Sequence, residues 1–436
     1  MRLKLTFDEI LCICLLMFFC TLGYVPILMP KFAATVSGQI ETLHGINHYI
    51  LFVVWTGVFA LLLKSRFQLR VDLLSAKAAL AYVTFAMVSV LWSSSKASTF
   101  SGGISLAVST VFAIFLVSRF PGERLVNLLS WAIMVHALLS AFFALAVPQY
   151  GLDHAVHAGA WQGICAQKNS LGLVMVFGTG LGLSLRPVTF LQRAWKAAFL
   201  MLCIGEVALS QSREAWAVCA LILFVHFGLK LYARLVIPSR GPALVVSAMG
   251  ALAGGVIIFA LSTTILKLLG RDVTLTGRTI LWQAVLKQCR NHLVVGYGLG
   301  AFWGTGDSFP VYATTHWVPT SAHNGFLECL LELGVVGLFL LLTLIFLGAQ
   351  NATRIVTSQP SFDTSRAWIY SLLSITTLNM VGDVTGIINS ISWLLLVCAA
   401  CGLEENSRNP ALALDRYASS ARRPIVGMRV APNARA

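Results

Sequence analysis

Four widely separated residues have types and settings suited to anion recognition and proton transfer: Lys168, Arg213, Arg278 and His323. Lys168 stands beside Asn169 in Gly163-Ile164-Cys165-Ala166-Gln167-Lys168-Asn169-Ser170, where an apolar run begins. Arg213 lies in Ser210-Gln211-Ser212-Arg213-Glu214, a connection so short that the side chain must sit at the margin of the flanking runs. Arg278 follows Gly277, and from it Leu281, Trp282, Val285 and Leu286 recur at helical spacing. A short amphipathic helix lying on a membrane surface is therefore expected, with Arg278 at its start. Backbone N–H groups at a helix start, next to a guanidinium, favour an anion. His323 precedes a strongly apolar run, and a neutral imidazole can take a proton from a hydroxyl near neutral pH. Asn324, Glu328 and Glu332 follow along one stripe of the helix expected there. Carboxylates inside an apolar helix are costly and face a cavity or a polar partner.

Plainer readings stand beside these. Each cation taken alone could snorkel to lipid phosphates, and His323 could be a helix-start residue hydrogen-bonded to backbone. Three cations on one side of a membrane favour a shared anionic ligand. Glu206 and Asp383, acids inside apolar runs, are expected to make interhelical hydrogen bonds. Trp161, Trp282, Trp303 and Trp317 could stack on sugar rings or anchor at the lipid interface.

The elements that must position these residues follow from composition. The chain has 436 residues, 57% hydrophobic and 11% charged, with a mean hydropathy of +0.81. A water-soluble domain of this size has no way to hide so much apolar surface, so the fold class is an all-α polytopic membrane protein. Apolar runs span Ile10–Met29, Ile46–Leu63, Leu73–Trp92, Thr99–Ser118, Leu125–Val147, Ser170–Leu185, Trp195–Ser210, Ala215–Leu231, Ala243–Leu266, Gly325–Gly348, Ala367–Ile388 and Ser392–Leu403. About twelve transmembrane helices are expected. The first run exceeds the roughly 7–15 residues of a signal-peptide core, and Tyr24-Val25-Pro26 offers no small-residue cleavage site.

With the N-terminus inside, cytoplasmic connections and the tail hold 22 of the 31 basic residues, as the positive-inside rule requires. Lys168, Arg213 and Arg278 fall among the nine outside. The expected domain organisation is nine N-terminal transmembrane helices (1–266), one large extracytoplasmic loop (267–323), three further helices (324–403) and a basic tail (404–436). The tail has too little apolar periodicity to fold alone and is expected to face anionic lipid on the cytoplasmic side. The net charge of +14 is scattered at the ends of runs, which suits anionic membrane lipids and not nucleic acid. The glycines from Gly178 to Gly182 and from Gly250 to Gly255 should let helices approach closely.

Other chemistries lack their motifs. The chain holds no His-Glu-x-x-His, no Gly-x-Ser-x-Gly, no phosphate loop and no Asp-x-Asp. His44 and His48 share a helical face, but such a pair at a membrane boundary is more often structural than a metal site. No metal and no cofactor is expected. Eight of the ten cysteines lie within apolar runs; Cys165 and Cys289 could share an oxidising compartment, although their types alone do not argue for a disulfide.

In order, the chain shows a Lys168-Asn169 before one run, Ser212-Arg213 before another and Gly277-Arg278-Thr279-x-x-Trp282 in the large loop. Gly296-Tyr297-Gly298-Leu299-Gly300, Ala322-His323-Asn324-Gly325-Phe326-Leu327-Glu328 and Glu332-Leu333-Gly334-Val335-Val336-Gly337-Leu338 follow. This succession, over about Gly159 to Leu338, resembles the O-antigen ligase and polymerase family, which includes exopolysaccharide-production polymerases. The resemblance implies a GT-C-like architecture and a metal-independent glycosyltransferase at the outer face of the bacterial inner membrane. Its donor would be a polyprenyl-diphosphate-linked oligosaccharide and its acceptor a glycan or lipid, with other polysaccharide export components as further partners. It also implies that Arg213 and Arg278 hold the diphosphate and His323 orients or deprotonates the acceptor. Lys168, Asn169, Asn324 and Glu328 would complete substrate binding. An exopolysaccharide polymerase is the first reading. An O-antigen ligase acting on a lipid A-core acceptor is the second, and a flippase of lipid-linked oligosaccharide the third.

Overall fold

The computed structural model describes residues 5–21, 40–64, 70–120, 122–154, 157–235, 277–358, 362–382 and 390–402. The expected run Ala243–Leu266, the cations Lys267 and Arg271, Asp383 and the tail 404–436 lie outside these residues, as do the side chains of His44 and His48. Helices α1 (Phe7–Cys20), α2 (Ile40–Lys64), α3 (Leu73–Val88), α4 (Lys96–Arg119) and α5 (Glu123–Ala146) come first, then the single turn α6 (Pro148–Gly151). They are followed by α7 (Lys168–Ser184), α8 (Phe190–Leu209), α9 (Arg213–Leu235), α10 (Arg278–Cys289), α11 (Phe309–Thr315), α12 (Gly325–Ser358), α13 (Phe362–Val381) and α14 (Ile391–Cys401). Every described apolar run is helical, and no β-strand occurs among the described residues.

Large apolar side chains point outward, with Phe339 68% and Phe346 60% exposed, whereas Thr110, His136, Thr179 and Ser109 are fully buried. Apolar side chains thus cover the outside as well as filling the core, which suits a lipid surround and marks a membrane protein. The buried hydroxyls return their hydrogen bonds to their own helices: Ser109 Oγ donates to Ser105 O at 2.7 Å and Thr110 Oγ1 to Leu106 O at 2.7 Å. Helix α14, buried along its whole length, packs among α3, α4, α12 and α13. Trp393 Nε1 ties it to Thr110 Oγ1 at 2.9 Å.

Four described stretches are long and apolar enough to cross a membrane: Leu73–Leu91, Lys96–Arg119, Glu123–Ala146 and Gly325–Thr353. This is fewer than the twelve expected. Helices α7 and α14, with 17 and 11 residues, fall short of the roughly 20 that a bilayer core requires.

The expected close packing at Gly178–Gly182 is present. A Cβ on Gly178 would lie 2.6 Å from Cys203 Sγ of α8 and 2.8 Å from Ile133 Cγ2 of α5, and one on Gly180 would lie 3.0 Å from Tyr370 Cβ of α13. Any larger residue would push the helices apart.

Helix α12 is broken at Gly334 (φ 64°, ψ −166°). The segment 293–300 docks against the break. Val335 N donates to Leu293 O at 2.9 Å, Tyr297 N to Leu331 O at 3.1 Å and Gly298 N to Glu332 O at 2.8 Å. Groups orphaned by the broken ladder are thereby satisfied, as a kinked membrane helix requires. The approach is so close that a Cβ on Gly334 would stand 2.3 Å from Val294 C and O, and one on Gly296 2.3 Å from Glu332 C and O.

Part of the apolar surface of α10 is covered by protein, while Leu286 and Ile280 are exposed. Leu281, Ala284, Val285 and Cys289 join Tyr297, Phe302, Val311, Ala322 and Leu331 in a second core, separate from that of the helical bundle, with Leu327 and Leu330 of α12 packed onto it. A helix thus forms where it was expected, but apolar and polar residues are spread around it: of the expected stripe, Leu281 and Val285 are buried and Leu286 is exposed. Its buried residues meet this core instead of the lipid expected for them, and the first turns of α12 share that core with the polar segment before them. Cys289 sits in this core and Cys165 in the bundle, both as free thiols.

Candidate functional site

The four residues singled out by type stand at or just before the N-terminal ends of α7, α9, α10 and α12, which a chain of contacts links. Lys168, the first residue of α7, donates from Nζ to Gln211 O at 3.1 Å, which joins α7 to the turn before α9. Gln211 holds this carbonyl in place from a left-handed conformation, φ 51°. Arg213, the first residue of α9, is exposed and makes no ion pair among the described residues. Burial and then the positive charge of Arg213 lower the Lys168 pKa, against the opposing pull of Asp153 and Glu214.

The next link is an ion pair. Arg278 Nη2 donates to Glu214 Oε1, and both side chains are 23% exposed. Arg278 opens α10 immediately after Gly277, whose φ of 84° is a left-handed entry suited to glycine. Glu214 Oε2 lies where a Cβ on Gly382 would stand 3.2 Å away, so the end of α13 also borders the pair. Gly382 O accepts from Gly325 N at 2.8 Å, and this carries the chain of contacts onto α12.

His323 stands between these elements, half-buried, with a left-handed φ of 50°. Such a conformation costs on the order of 1–3 kcal/mol for a residue with a Cβ, and it persists where the surroundings impose it. Trp317 stacks on its ring, with centroids 5.9 Å apart and planes 12° from parallel. Nδ1 lies 3.5 Å from Ser321 Oγ. Burial and then the charge of Arg278 hold the imidazole below its usual pKa, so the neutral, proton-accepting form persists to lower pH.

Ala322, the residue before His323, is held from three sides. Its carbonyl accepts from Trp282 Nε1 at 2.9 Å, its N–H donates to Glu328 Oε2 at 2.5 Å, and its side chain is fully buried. Glu328 Oε1 also accepts from Trp303 Nε1 at 2.5 Å. Glu328 is 3% exposed, so the structure shows it bracing the His323 segment. Glu332, one turn on, accepts from Gly300 N at 2.8 Å through Oε1. Both carboxylates of the stripe therefore meet the polar partners their burial requires.

Asn324 caps α12: Oδ1 accepts from Phe326 N at 3.1 Å and Leu327 N at 3.0 Å, while Nδ2 donates to Met380 O at 3.1 Å. Asn169 is exposed beside Lys168. Trp303 lies in offset contact with Tyr312, centroids 6.4 Å apart. Glu206 is 1% exposed, and neither of its carboxyl oxygens has a hydrogen-bond partner among the described residues, unlike the interhelical bond expected for it.

The arrangement has the parts of an anion site. Lys168, Arg213 and Arg278 each begin a helix, and N-terminal N–H groups and cations reinforce each other towards a multiply charged oxyanion. Reasoning from sequence missed Glu214, Gln211 and Gly382. Glu214 was visible only as the neighbour of Arg213, and its partner lies 64 residues away.

The residues of this chain of contacts fall largely within a single family match. A family model described as O-antigen ligase matches residues 197–342, which include Arg213, Glu214, Arg278, His323, Glu328 and Glu332. Over that stretch the chain is similar to O-antigen ligases. It is also 26% identical over 271 residues to the exopolysaccharide production protein ExoQ of Rhizobium meliloti (strain 1021). That similarity covers 60% of this chain and 61% of ExoQ, so the chain matches less than two thirds of that relative's length. Lys168, at the other end of this chain of contacts, precedes the family match.

Proposed function

We propose that the chain is a metal-independent glycosyltransferase that polymerises glycan repeat units carried on a polyprenyl diphosphate, as an exopolysaccharide polymerase. In this reading it works at the outer face of a bacterial inner membrane, crosses that membrane about twelve times in a GT-C-like architecture and keeps both termini cytoplasmic. The observation that supports the reading is that Lys168, Arg213, Arg278 and His323 stand at or just before four helix starts that contacts link to one another. The similarity to an exopolysaccharide production protein supports polymerisation.

The acceptor hydroxyl attacks the anomeric carbon of the donor glycan and gives its proton to His323. The bond between that carbon and the phosphoryl oxygen breaks, and the electron pair stays on the departing diphosphate. Arg213, Arg278 and Lys168 are preorganised where this charge develops, which lowers the barrier. With Nδ1 beside Ser321, Nε2 is the ring nitrogen left to the acceptor. Asn324 and Glu328 act by fixing the start of α12, and Asn169 borders the donor.

In cells that depend on this protein, His323→Ala should abolish long polymer and leave lipid-linked repeat units at the outer face. General-base loss is worth on the order of 10²–10⁴ in rate. Undiminished polymer from a correctly inserted variant would remove His323 from catalysis. Accumulation at the cytoplasmic face would instead favour a flippase. The family description supports a ligase as the second reading, for which the diagnostic product is glycan attached to lipid A-core.

A further inference from the structure

Among the three cations at these helix starts, one carboxylate sits directly on a guanidinium. Glu214 pairs with Arg278, follows Arg213 in sequence and acts electrostatically on Lys168. It therefore touches one of the cations proposed to hold the diphosphate and acts through space on a second. For donor capture alone such a residue is a handicap, because it repels the ligand that the cations attract.

The chemistry of turnover gives it a use. In the donor, the diphosphate is esterified at both ends and carries two ionised oxygens. Transfer of the glycan breaks the anomeric C–O bond, leaves the electron pair on the phosphoryl oxygen and sends the acceptor's proton to His323. The polyprenyl diphosphate left behind has gained an ionisable oxygen, largely deprotonated at neutral pH. A clamp made only of cations and helix N-termini would hold this product more tightly than the donor and would stall.

On the proposed function above, we infer that Glu214 is a product-release residue: its fixed negative charge penalises the more highly charged polyprenyl diphosphate more than the donor. It also holds Arg278 in position between turnovers. The end of α13 leaves it room, since Gly382 presents no side chain at Glu214 Oε2.

The test uses the full-length protein in lipid nanodiscs with lipid-linked repeat units as donor. It measures the donor KM and the Ki of added polyprenyl diphosphate. At a site screened as strongly as bulk water, one unit charge about 4 Å away changes affinity on the order of fivefold for each ligand charge. Glu214→Gln should therefore lower the ratio Ki/KM about fivefold, with turnover falling as product accumulates. Glu214→Asp keeps the charge and should keep the ratio, even if KM shifts. Arg213→Gln should move the ratio in the opposite direction, which keeps the test open if the neutral Glu214 variants fail to insert. A Ki and a KM that change in equal proportion in Glu214→Gln would overturn the role and leave Glu214 an orienter of Arg278. If the wild-type protein makes polymer and is inhibited by polyprenyl diphosphate, only the role of Glu214 is at stake. If it does neither, the proposed function fails as well.

Discussion

Truncating Glu328 to alanine is the sharpest perturbation of the framework that holds His323. Its carboxylate accepts from the Trp303 indole and from the Ala322 backbone, each at 2.5 Å, in a setting where the side chain is 3% exposed. Removing it leaves two buried donors without their acceptor. A hydrogen bond to a charged group contributes about 1.5–3 kcal/mol, so Glu328→Ala should cost about 3–6 kcal/mol locally. Glu328→Gln keeps one acceptor oxygen and turns an N–H towards the other donor, which should cost about half as much. Because Ala322 adjoins His323, the loss is expected to show as movement of the imidazole. Hydrogen–deuterium exchange at the Ala322 amide reads this directly. At 1.4 kcal/mol per factor of ten, the lower bound corresponds to an acceleration on the order of 10² in Glu328→Ala. Turnover should fall by a similar order while donor KM changes little, since the cations stay in place. Unchanged exchange at Ala322 together with unchanged turnover would refute the bracing role.

Three further outcomes test other parts of the structure. His323 has a lowered pKa, so its active, neutral form should persist below the usual histidine value of about 6.5. Arg278→Gln removes one cause of that lowering and should move the acid limb of the pH–rate profile upward, whereas Arg278→Lys should not. Gly334→Ala combines a φ of 64° with a Cβ 2.3 Å from Val294 C and O; it should separate segment 293–300 from α12 and lower the thermal unfolding midpoint sharply, while Gly300→Ala, with nothing within 4 Å of its Cβ, should do so far less. Trp282→Phe removes the 2.9 Å bond to Ala322 O and should cost about 1 kcal/mol, seen as faster exchange around Ala322 with the helix content by circular dichroism unchanged.

How much of this could be read without coordinates differs by feature, and the physics explains the difference. Helix positions follow from burial of apolar side chains over consecutive residues, so each described run falls on a helix, with bounds that differ by up to ten residues where polar ends extend the helix, and Arg278 opens its helix as its spacing predicts. The cations were conspicuous because the positive-inside rule puts them on the side where positive charge is disfavoured, which is an expectation from residue type and order. The expected stripe of Asn324, Glu328 and Glu332 exists, yet periodicity alone gave no sign of whether it faces a substrate or a brace. Two hydrogen bonds, to Trp303 and Ala322, showed Glu328 to be a brace.

From sequence alone came the all-helical, membrane-embedded class of this protein, the order of its helices and the short set of residues able to bind an anion and accept a proton. Those properties rest on local composition. Only the tertiary structure decided that Glu214 meets Arg278, that segment 293–300 fills the break at Gly334, and that α10 buries part of its apolar surface in protein. Each of these is a contact between residues far apart in the chain, and directional hydrogen bonds and close backbone approach leave no periodic trace in sequence.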